Sequence, residues 1–341
     1  MRKIISIILL TQLFTSCFDE NSFVITPIPI EPNSIEVKIP YSMYADQTYF
    51  NLFDIIVVSH NNFADWDLGF ETTPNGYHII LNTSRFMYAG VTNSTNFSLV
   101  TTNIADTMIY DRSSGHPDST AIGDWADFSD PLNPVFPKKV YIIDRGIDES
   151  GNSFGYKKIV FEKLEDDIYY IRFANLDNSD EHTFEIPKNA AVNFVQFSFN
   201  GGGNLNTQQP GKELWDLNLT KYSTILFDNA NNNKPTPYLV RGVLINKGVT
   251  VAKDTITPYK SISLNNISGY TFSNKQDAIG YNWKSYINGN YIVKPHYSYI
   301  IKDRNNNYYK LRFTGFNNTI IGDIHYGVKG YPSFEMSKLN L

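Results

Sequence analysis

Cysteine is nearly absent from this sequence, since Cys17 is the only one among 341 residues. An intramolecular disulfide and a cysteine-ligated metal site are therefore excluded. Lysine and arginine do not cluster and the formal net charge is −5, which argues against nucleic acid as a partner. No run after residue 17 is long and apolar enough for a transmembrane helix. No HExxH motif and no arguable Ser-His-Asp set is present, so we expect that the protein is not an enzyme.

The first sixteen residues predict a secretory signal. A basic start precedes a short apolar run at residues 4–10, which is too short to remain as a membrane-spanning helix. Cys17 follows small residues, which resembles the lipobox of bacterial lipoproteins; an ordinary signal peptide with a stray cysteine near its cleavage site is the alternative. We expect a lipoprotein signal peptide at residues 1–16, lipidation of Cys17 and a tether at residues 17–34. Acidic residues directly after Cys17 resemble an export tag, so we expect lipid anchoring to the outer membrane at the cell surface.

The sequence repeats itself. Trp-Asp-Leu occurs at residues 66–68 and again at residues 215–217, 149 positions later. A second tryptophan in each half precedes a similar strand-like stretch by sixteen residues. The matched positions are Trp66 with Trp215, Trp125 with Trp283, and Tyr141 with Tyr299. The order of these signals predicts a duplicated unit, with one domain at residues 35–180 and a second at residues 181–341.

Hydrophobic periodicity predicts strands almost everywhere. Trp66, Leu68 and Phe70 alternate with polar or small residues, which is the period of a strand with one buried face. Turn residues are dense, and no window of ten or more residues combines a helical apolar stripe with caps. The sequence therefore predicts an all-β fold made of two similar antiparallel β domains in tandem.

Histidine and methionine are distributed unequally between the two copies. His78, Met87, Met108 and His116 lie between the two tryptophans of the first copy, whereas the matching stretch of the second copy contains neither residue type. Imidazole and thioether are the neutral side chains that serve as axial ligands to haem iron. The alternative is that Met87 and Met108 fill gaps in a core and that the two histidines lie on loops.

The ordered set of motifs resembles the HmuY family of haem-binding lipoproteins from Bacteroidetes. The matching stretches are WDL at 215–217, Trp283, YII at 299–301, YKLRF at 309–313 and GYPSF at 330–334, with DWDLGF at 65–70 in the first copy. The resemblance implies a mostly antiparallel β domain that holds one haem between loops through two axial His or Met ligands. It also implies delivery of the haem to a TonB-dependent outer-membrane receptor. This chain differs in having two copies of the motif set.

From the residues and the resemblance together, we expect a surface-exposed lipoprotein that binds haem and passes it to an uptake receptor. The candidate axial ligands, in order, are Met87, Met108, His116 and His78, and no metal other than haem iron is expected. The alternative is a non-catalytic surface module of the same fold that binds another ligand or a protein partner. The membrane contact expected is through the lipid anchor alone.

Overall fold

The computed structural model describes residues 28–103, 105, 107–228, 232–317 and 328–340. Its regular structure is almost entirely strand. The strands are β1 (Ile35–Lys38), β2 (Asp46–Asn51), β3 (Ile56–Asn62), β4 (Leu68–Glu71), β5 (Ile79–Leu81), β6 (Tyr88–Val91), β7 (Val140–Asp144), β8 (Tyr156–Glu165), β9 (Ile168–Ala174), β10 (His182–Pro187), β11 (Phe194–Ser198), β12 (Asn204–Asn206), β13 (Leu217–Asp228), β14 (Lys234–Ile245), β15 (Thr250–Asp254), β16 (Lys284–Ile287), β17 (Asn290–Val293), β18 (Ser298–Lys302), β19 (Tyr308–Asn317) and β20 (Lys329–Lys338). Short 3₁₀ turns lie at Thr83–Arg85, Phe97–Leu99, Pro117–Ser119, Asn200–Gly202, Tyr259–Ser261 and Leu264–Gly269.

The strands form two pairs of sheets, and the two pairs have matching arrangements of strands. One pair has the orders β10-β9-β8-β7-β6 and β12-β11-β4-β5, and the other has the orders β1-β20-β19-β18-β15 and β14-β13-β2-β3. Strands β16 and β17 form a separate hairpin. Neighbouring strands in these sheets are antiparallel. The prediction of an all-β, antiparallel fold is therefore confirmed.

Each pair of sheets encloses its own apolar core. The first core is built from a continuous stretch of chain between Leu68 and Phe199, and includes Trp125. We call residues 68–206, which carry β4 to β12, the continuous unit. The second core combines an N-terminal segment, β1 to β3, with β13 to β20, and includes Trp283. We call these residues, 35–62 and 217–338, the split unit.

The two cores share strands between the two sequence copies. Strand β11 of the second copy pairs with β4 of the first, with Phe197 opposite Leu68. Strand β2 of the first copy pairs with β13 of the second, with Phe50 opposite Leu217. The boundary between the two sequence copies, near residue 180, therefore differs from the boundaries between the two structural cores. Whether residues 35–180 and 181–341 fold independently stays a prediction.

The repeat extends to individual hydrogen bonds. The Asn82 side chain donates to the carbonyl of Trp66 at 2.8 Å, and the Asn246 side chain donates to the carbonyl of Trp215 at 2.7 Å. Both tryptophans are buried, at 6% and 4% exposure. Each tryptophan precedes a central strand of its sheet, β4 or β13. The two tryptophans therefore anchor equivalent strands in the two related units.

The N-terminal end of the described chain lies against the split unit. The backbone N–H of Glu31 donates to Oε1 of Glu335 at 2.8 Å, and Arg312 donates to the carbonyl of Pro29 at 2.8 Å. The predicted signal peptide, Cys17 and most of the predicted tether lie outside the described residues. Among the residues that the structure describes, no helix has the length and apolar character needed to cross a membrane.

Candidate functional site

A cleft lies between the continuous unit and the split unit. Its free volume is about 160 Å³, and residues of both units line it. We call it the inter-unit cleft. The lining includes His78 and residues 111–117 from the continuous unit, Asn218 from the split unit, and the two tryptophans that precede β4 and β13, Trp66 and Trp215. The strands that carry the two Trp-Asp-Leu motifs therefore bring the same repeated position to the cleft from two sides.

Aromatic side chains form part of its walls. Trp66 donates its indole Nε1–H to Oε1 of Gln47 at 2.9 Å, which satisfies this buried donor. Tyr49 packs edge-on against Trp215 with ring centroids 5.1 Å apart, and burial raises the pKa of Tyr49 to about 12. Phe194 also lines the cleft. The lining thus combines flat apolar faces with a few fixed polar groups, as small-molecule sites commonly do.

His78 is held in the cleft by a carboxylate. Its Nδ1 lies 2.7 Å from Oε2 of Glu71, and its ring stacks on Tyr77 with centroids 4.8 Å apart. Burial favours a raised pKa for Glu71, but hydrogen bonds from His78 and Lys247 and the positive charge of Lys247 bring the pKa below its ordinary value. The carboxylate is therefore ionised at neutral pH and fixes the imidazole orientation. Nε2 has no hydrogen-bond partner among the described residues.

His116 lines the same cleft from a loop. It is largely exposed, and its Nδ1 lies 3.5 Å from Oδ2 of Asp118. His78 and His116, which are 38 positions apart in the sequence, therefore both line this cleft. Each histidine has its Nδ1 beside a carboxylate, an arrangement that commonly orients metal-binding imidazoles.

The two methionine candidates lie elsewhere. Met87 is 1% exposed and belongs to the core of the continuous unit. Met108 is half-buried and its sulfur lies close to Gly90. Neither side chain lines the inter-unit cleft. Met87 therefore fits the alternative interpretation, in which the methionine fills a gap in a core.

The loop that carries His116 is anchored by a buried carboxylate that the sequence patterns did not single out. Asp111 accepts hydrogen bonds from the backbone N–H groups of Leu81 and Ala121, both at 2.7 Å. Burial raises the pKa of Asp111 to about 7, although these two bonds oppose the rise. A buried carboxyl that bonds to two backbone donors fixes both ends of the loop at residues 111–121.

The same loop joins the two units. Ser113 donates its hydroxyl to Oδ2 of Asp277 at 2.6 Å, and the backbone N–H of Gln276 donates to the carbonyl of Ser114 at 2.8 Å. On the opposite side, Lys247 of the split unit lies 3.2 Å from Oε1 of Glu71. These polar contacts link the two units at the cleft.

Carboxamide side chains dominate the remaining polar lining. They are Gln47, Asn193, Gln196, Gln209, Asn218, Asn246, Asn274 and Gln276. Because these eight residues come from segments between positions 47 and 276, no local motif reveals them. No group of three or more His, Cys, Asp and Glu side chains arranged to hold a metal ion occurs in the described part of the chain.

The chain was compared with known proteins. The family model described as HmuY protein matches residues 43–336 as one continuous stretch. Among curated proteins, no sequence matches the chain significantly.

Solved structures give weak matches. An apo HmuY analog from Tannerella forsythia is 13% identical, with 94% of this chain and all of that chain covered and a TM-score of 0.24. Apo PinO from Porphyromonas gingivitis is 10% identical, with 92% and 98% covered and a TM-score of 0.23. A Bacteroides vulgatus protein described as HmuY-like and haem-binding is 15% identical, with 53% and 90% covered and a TM-score of 0.18.

Proposed function

The chain belongs to the HmuY family, and on that basis we propose that it is a surface lipoprotein that binds haem in the inter-unit cleft. The proposed role is binding and delivery, without catalysis. In this proposal Cys17 carries the lipid anchor at the outer membrane, and a TonB-dependent outer-membrane receptor takes over the haem.

The observation that carries the proposal is that His78 and His116 both line one cleft. A neutral imidazole binds haem iron through one ring nitrogen, while the other nitrogen holds the ring in place. The Glu71 carboxylate holds Nδ1 of His78, so Nε2 is the nitrogen available for iron. His116 lies on the cleft-lining loop at residues 111–117 and would supply the second axial bond. Met108 remains a further candidate, and Met87 would have to leave the core.

The size of the cleft sets a condition on haem binding. Pockets that bury drug-sized ligands have volumes of about 300–1,000 Å³. The free volume here is about 160 Å³, so a tetrapyrrole requires the two units to separate. Such an opening would break the hydrogen bond between Ser113 and Asp277 and the ion pair between Lys247 and Glu71. It would also break the buried hydrogen bonds that Ser84 makes with Gln47 and with the carbonyl of Lys221.

A haem titration of the chain from residue 18 onward tests the proposal. Axial ligation by two side chains should produce a saturable shift of the Soret band at one haem per chain. Metal-free protoporphyrin IX is the control, because it offers the same apolar ring without iron. Tighter binding of haemin than of protoporphyrin supports ligation by the protein. Equal affinities, or no shift with haemin, would contradict it.

A non-haem ligand is the second candidate, and the carboxamide lining of the cleft favours it. Four of the eight amide side chains, Gln47, Asn193, Gln196 and Asn246, make hydrogen bonds within the protein, and the other four can offer hydrogen bonds to a polar ligand. A family fold can carry different ligands in the same place. Absence of haem binding together with retained folding would favour this candidate.

A further inference from the structure

One loop of the continuous unit reaches the split unit and returns. We call this loop, residues 111–121, the cleft loop. It begins and ends on the continuous unit, where the carboxylate of Asp111 accepts hydrogen bonds from the backbone N–H groups of Leu81 and Ala121. The middle of the loop bonds to the split unit. The cleft loop is therefore fixed to one unit at its two ends and to the other unit at its middle.

The contacts at the middle of the loop are hydrogen bonds. The Ser113 hydroxyl donates to Oδ2 of Asp277 at 2.6 Å. The carbonyl of Ser114 accepts a hydrogen bond from the backbone N–H of Gln276 at 2.8 Å. The carbonyl of Gln276 in turn accepts a hydrogen bond from the backbone N–H of Ile245 in β14, also at 2.8 Å. The loop therefore bonds to a segment that is itself held against a sheet of the split unit.

Gly115 shows how closely the loop fits the split unit. Its φ is +69°, and a Cβ atom at this position would lie 2.5 Å from Oε1 of Gln276 and 2.9 Å from the Cβ atom of Gln276. Glycine is the residue that suits both this backbone conformation and this space. The loop therefore makes direct van der Waals contact with the split unit in addition to its hydrogen bonds.

The cleft loop forms a wall between the inter-unit cleft and solvent. Gly115, His116 and Pro117 line the cleft and are also exposed at the protein surface. A displacement of these residues therefore widens the cleft on its solvent side. The hydrogen bond between Ser113 and Asp277 is only partly buried, so both groups can bond to water when the loop moves away.

We propose that the cleft loop is a lid of the inter-unit cleft, closed while Ser113 and Ser114 bond to the split unit and open when water replaces these bonds. Asp111 holds the two ends of the loop in both states, so the movement is confined to residues 112–120. His116 lies on the lid and moves with it. Under the proposed haem function, on which this step rests, closing of the lid brings one axial ligand to the bound haem. The opening itself requires no ligand and can be measured in the free protein.

Hydrogen exchange at the four tryptophan indoles tests the proposal in the free protein. Trp66 and Trp215 line the cleft, whereas Trp125 and Trp283 lie in the cores of the two units. Exchange of each indole N–H with deuterium is followed in ¹H–¹⁵N spectra of the chain from residue 18 onward, and substitution of each tryptophan by phenylalanine assigns the peaks. We expect Ser113→Ala to accelerate exchange at both cleft tryptophans roughly 2- to 10-fold, as loss of one hydrogen bond predicts. Exchange at the two core tryptophans should be unchanged.

Two further variants separate release of the lid from general loosening of the fold. Asp277→Ala removes the partner in the same hydrogen bond, so its effect should match that of Ser113→Ala. The double variant should exchange no faster than either single variant, because both remove one interaction. Ser333→Ala is the matched control, since its hydroxyl accepts a hydrogen bond from Thr314 within the split unit. This control should leave exchange at the cleft tryptophans unchanged.

Unchanged exchange at both cleft tryptophans in Ser113→Ala would overturn the proposal, and so would equal acceleration at all four tryptophans. Equal effects of Ser113→Ala and Ser333→Ala would also overturn it. The haemin titration decides the proposed function separately. Accelerated exchange at the cleft tryptophans in a protein that does not bind haemin would support the lid and contradict haem as the ligand.

Discussion

Asp67 and Arg145 form a doubly hydrogen-bonded ion pair, in which Nε of Arg145 donates to Oδ1 at 3.0 Å and Nη2 donates to Oδ2 at 2.9 Å. Arg85 donates to the same carboxylate at 2.7 Å. The repeated pair, Asp216 with Arg304, is looser, with 3.5 Å between its charged atoms. The aspartates of the two Trp-Asp-Leu motifs therefore occupy equivalent places in the fold, but the ion pair of Asp67 is tighter than that of Asp216.

We expect Asp67→Asn to destabilise the chain by about 3–5 kcal/mol, because it leaves the buried Arg85 and Arg145 without a countercharge. Asp216→Asn is the matched control. Burial already raises the pKa of Asp216, and asparagine can still accept the bond from Leu52, so about 1 kcal/mol should be lost. Urea unfolding followed by circular dichroism measures both free energies. Equal losses would show that the two pairs contribute alike.

Asp111 should make stability depend on pH. Its pKa in the folded chain is about 7, above its ordinary value of 3.8, so the folded state binds a proton more tightly than the unfolded state. The stability from this group is fully present below about pH 4 and decreases as pH rises to about 7, by up to about 4 kcal/mol.

The control for this effect is Asp111→Asn, which cannot titrate at that position. The difference between the unfolding free energies of the two proteins should change between about pH 4 and about pH 7 and be constant above that range. All other titratable groups are common to the two proteins, so their contribution cancels in the difference. A difference that is constant at every pH would show that Asp111 keeps an ordinary pKa.

The strand pairing and the sequence repeat predict different folding units. A fragment of residues 64–210 keeps all strands of the continuous unit, whereas residues 35–180 lack β10, β11 and β12. We expect the first fragment to unfold cooperatively and at a higher temperature, because it retains the complete core. Thermal unfolding by calorimetry compares the two fragments. A more stable 35–180 fragment would support the division at residue 180.

Membrane attachment should depend on Cys17. Two or more acyl chains give stable anchoring that a polar tether cannot replace. Cys17→Ala should therefore move the protein from the membrane fraction to the soluble fraction after cell lysis, as measured by immunoblotting. A variant that remains fully with membranes would show that the cysteine is not the anchor.

Much of the fold could be predicted from periodicity, and strand partners could not. The alternation of Trp66, Leu68 and Phe70 predicts a strand, and the structure places β4 there; the prediction that only one face of it is buried is wrong, because all four residues of β4 are buried. Alternation says nothing about which strand lies alongside, since side-chain period is the same for every partner. The pairing of β4 with β11, across the two copies, therefore required coordinates.

The residue types of the candidate site could be predicted from the sequence more readily than the positions of those residues in the fold. The unequal distribution of histidine and methionine drew attention to the continuous unit, and His78 and His116 do line one cleft. Sequence alone does not distinguish a methionine that fills a core from one that faces a ligand, and Met87 is in the core. No local sequence pattern shows that the buried indole Nε1 of Trp215 has no hydrogen-bond partner among the described residues.

The proposed haem site depends on His78 and His116 as the two axial ligands in the inter-unit cleft. The most direct test is a haemin titration of the double variant His78→Ala/His116→Ala, with His182→Ala/His296→Ala as the matched control, since neither of the latter histidines lines the cleft. We predict that the parent chain and the control show the same Soret shift and that the double variant loses it while its circular dichroism is unchanged. A full Soret shift in the double variant, or none in the parent chain, would contradict the claim.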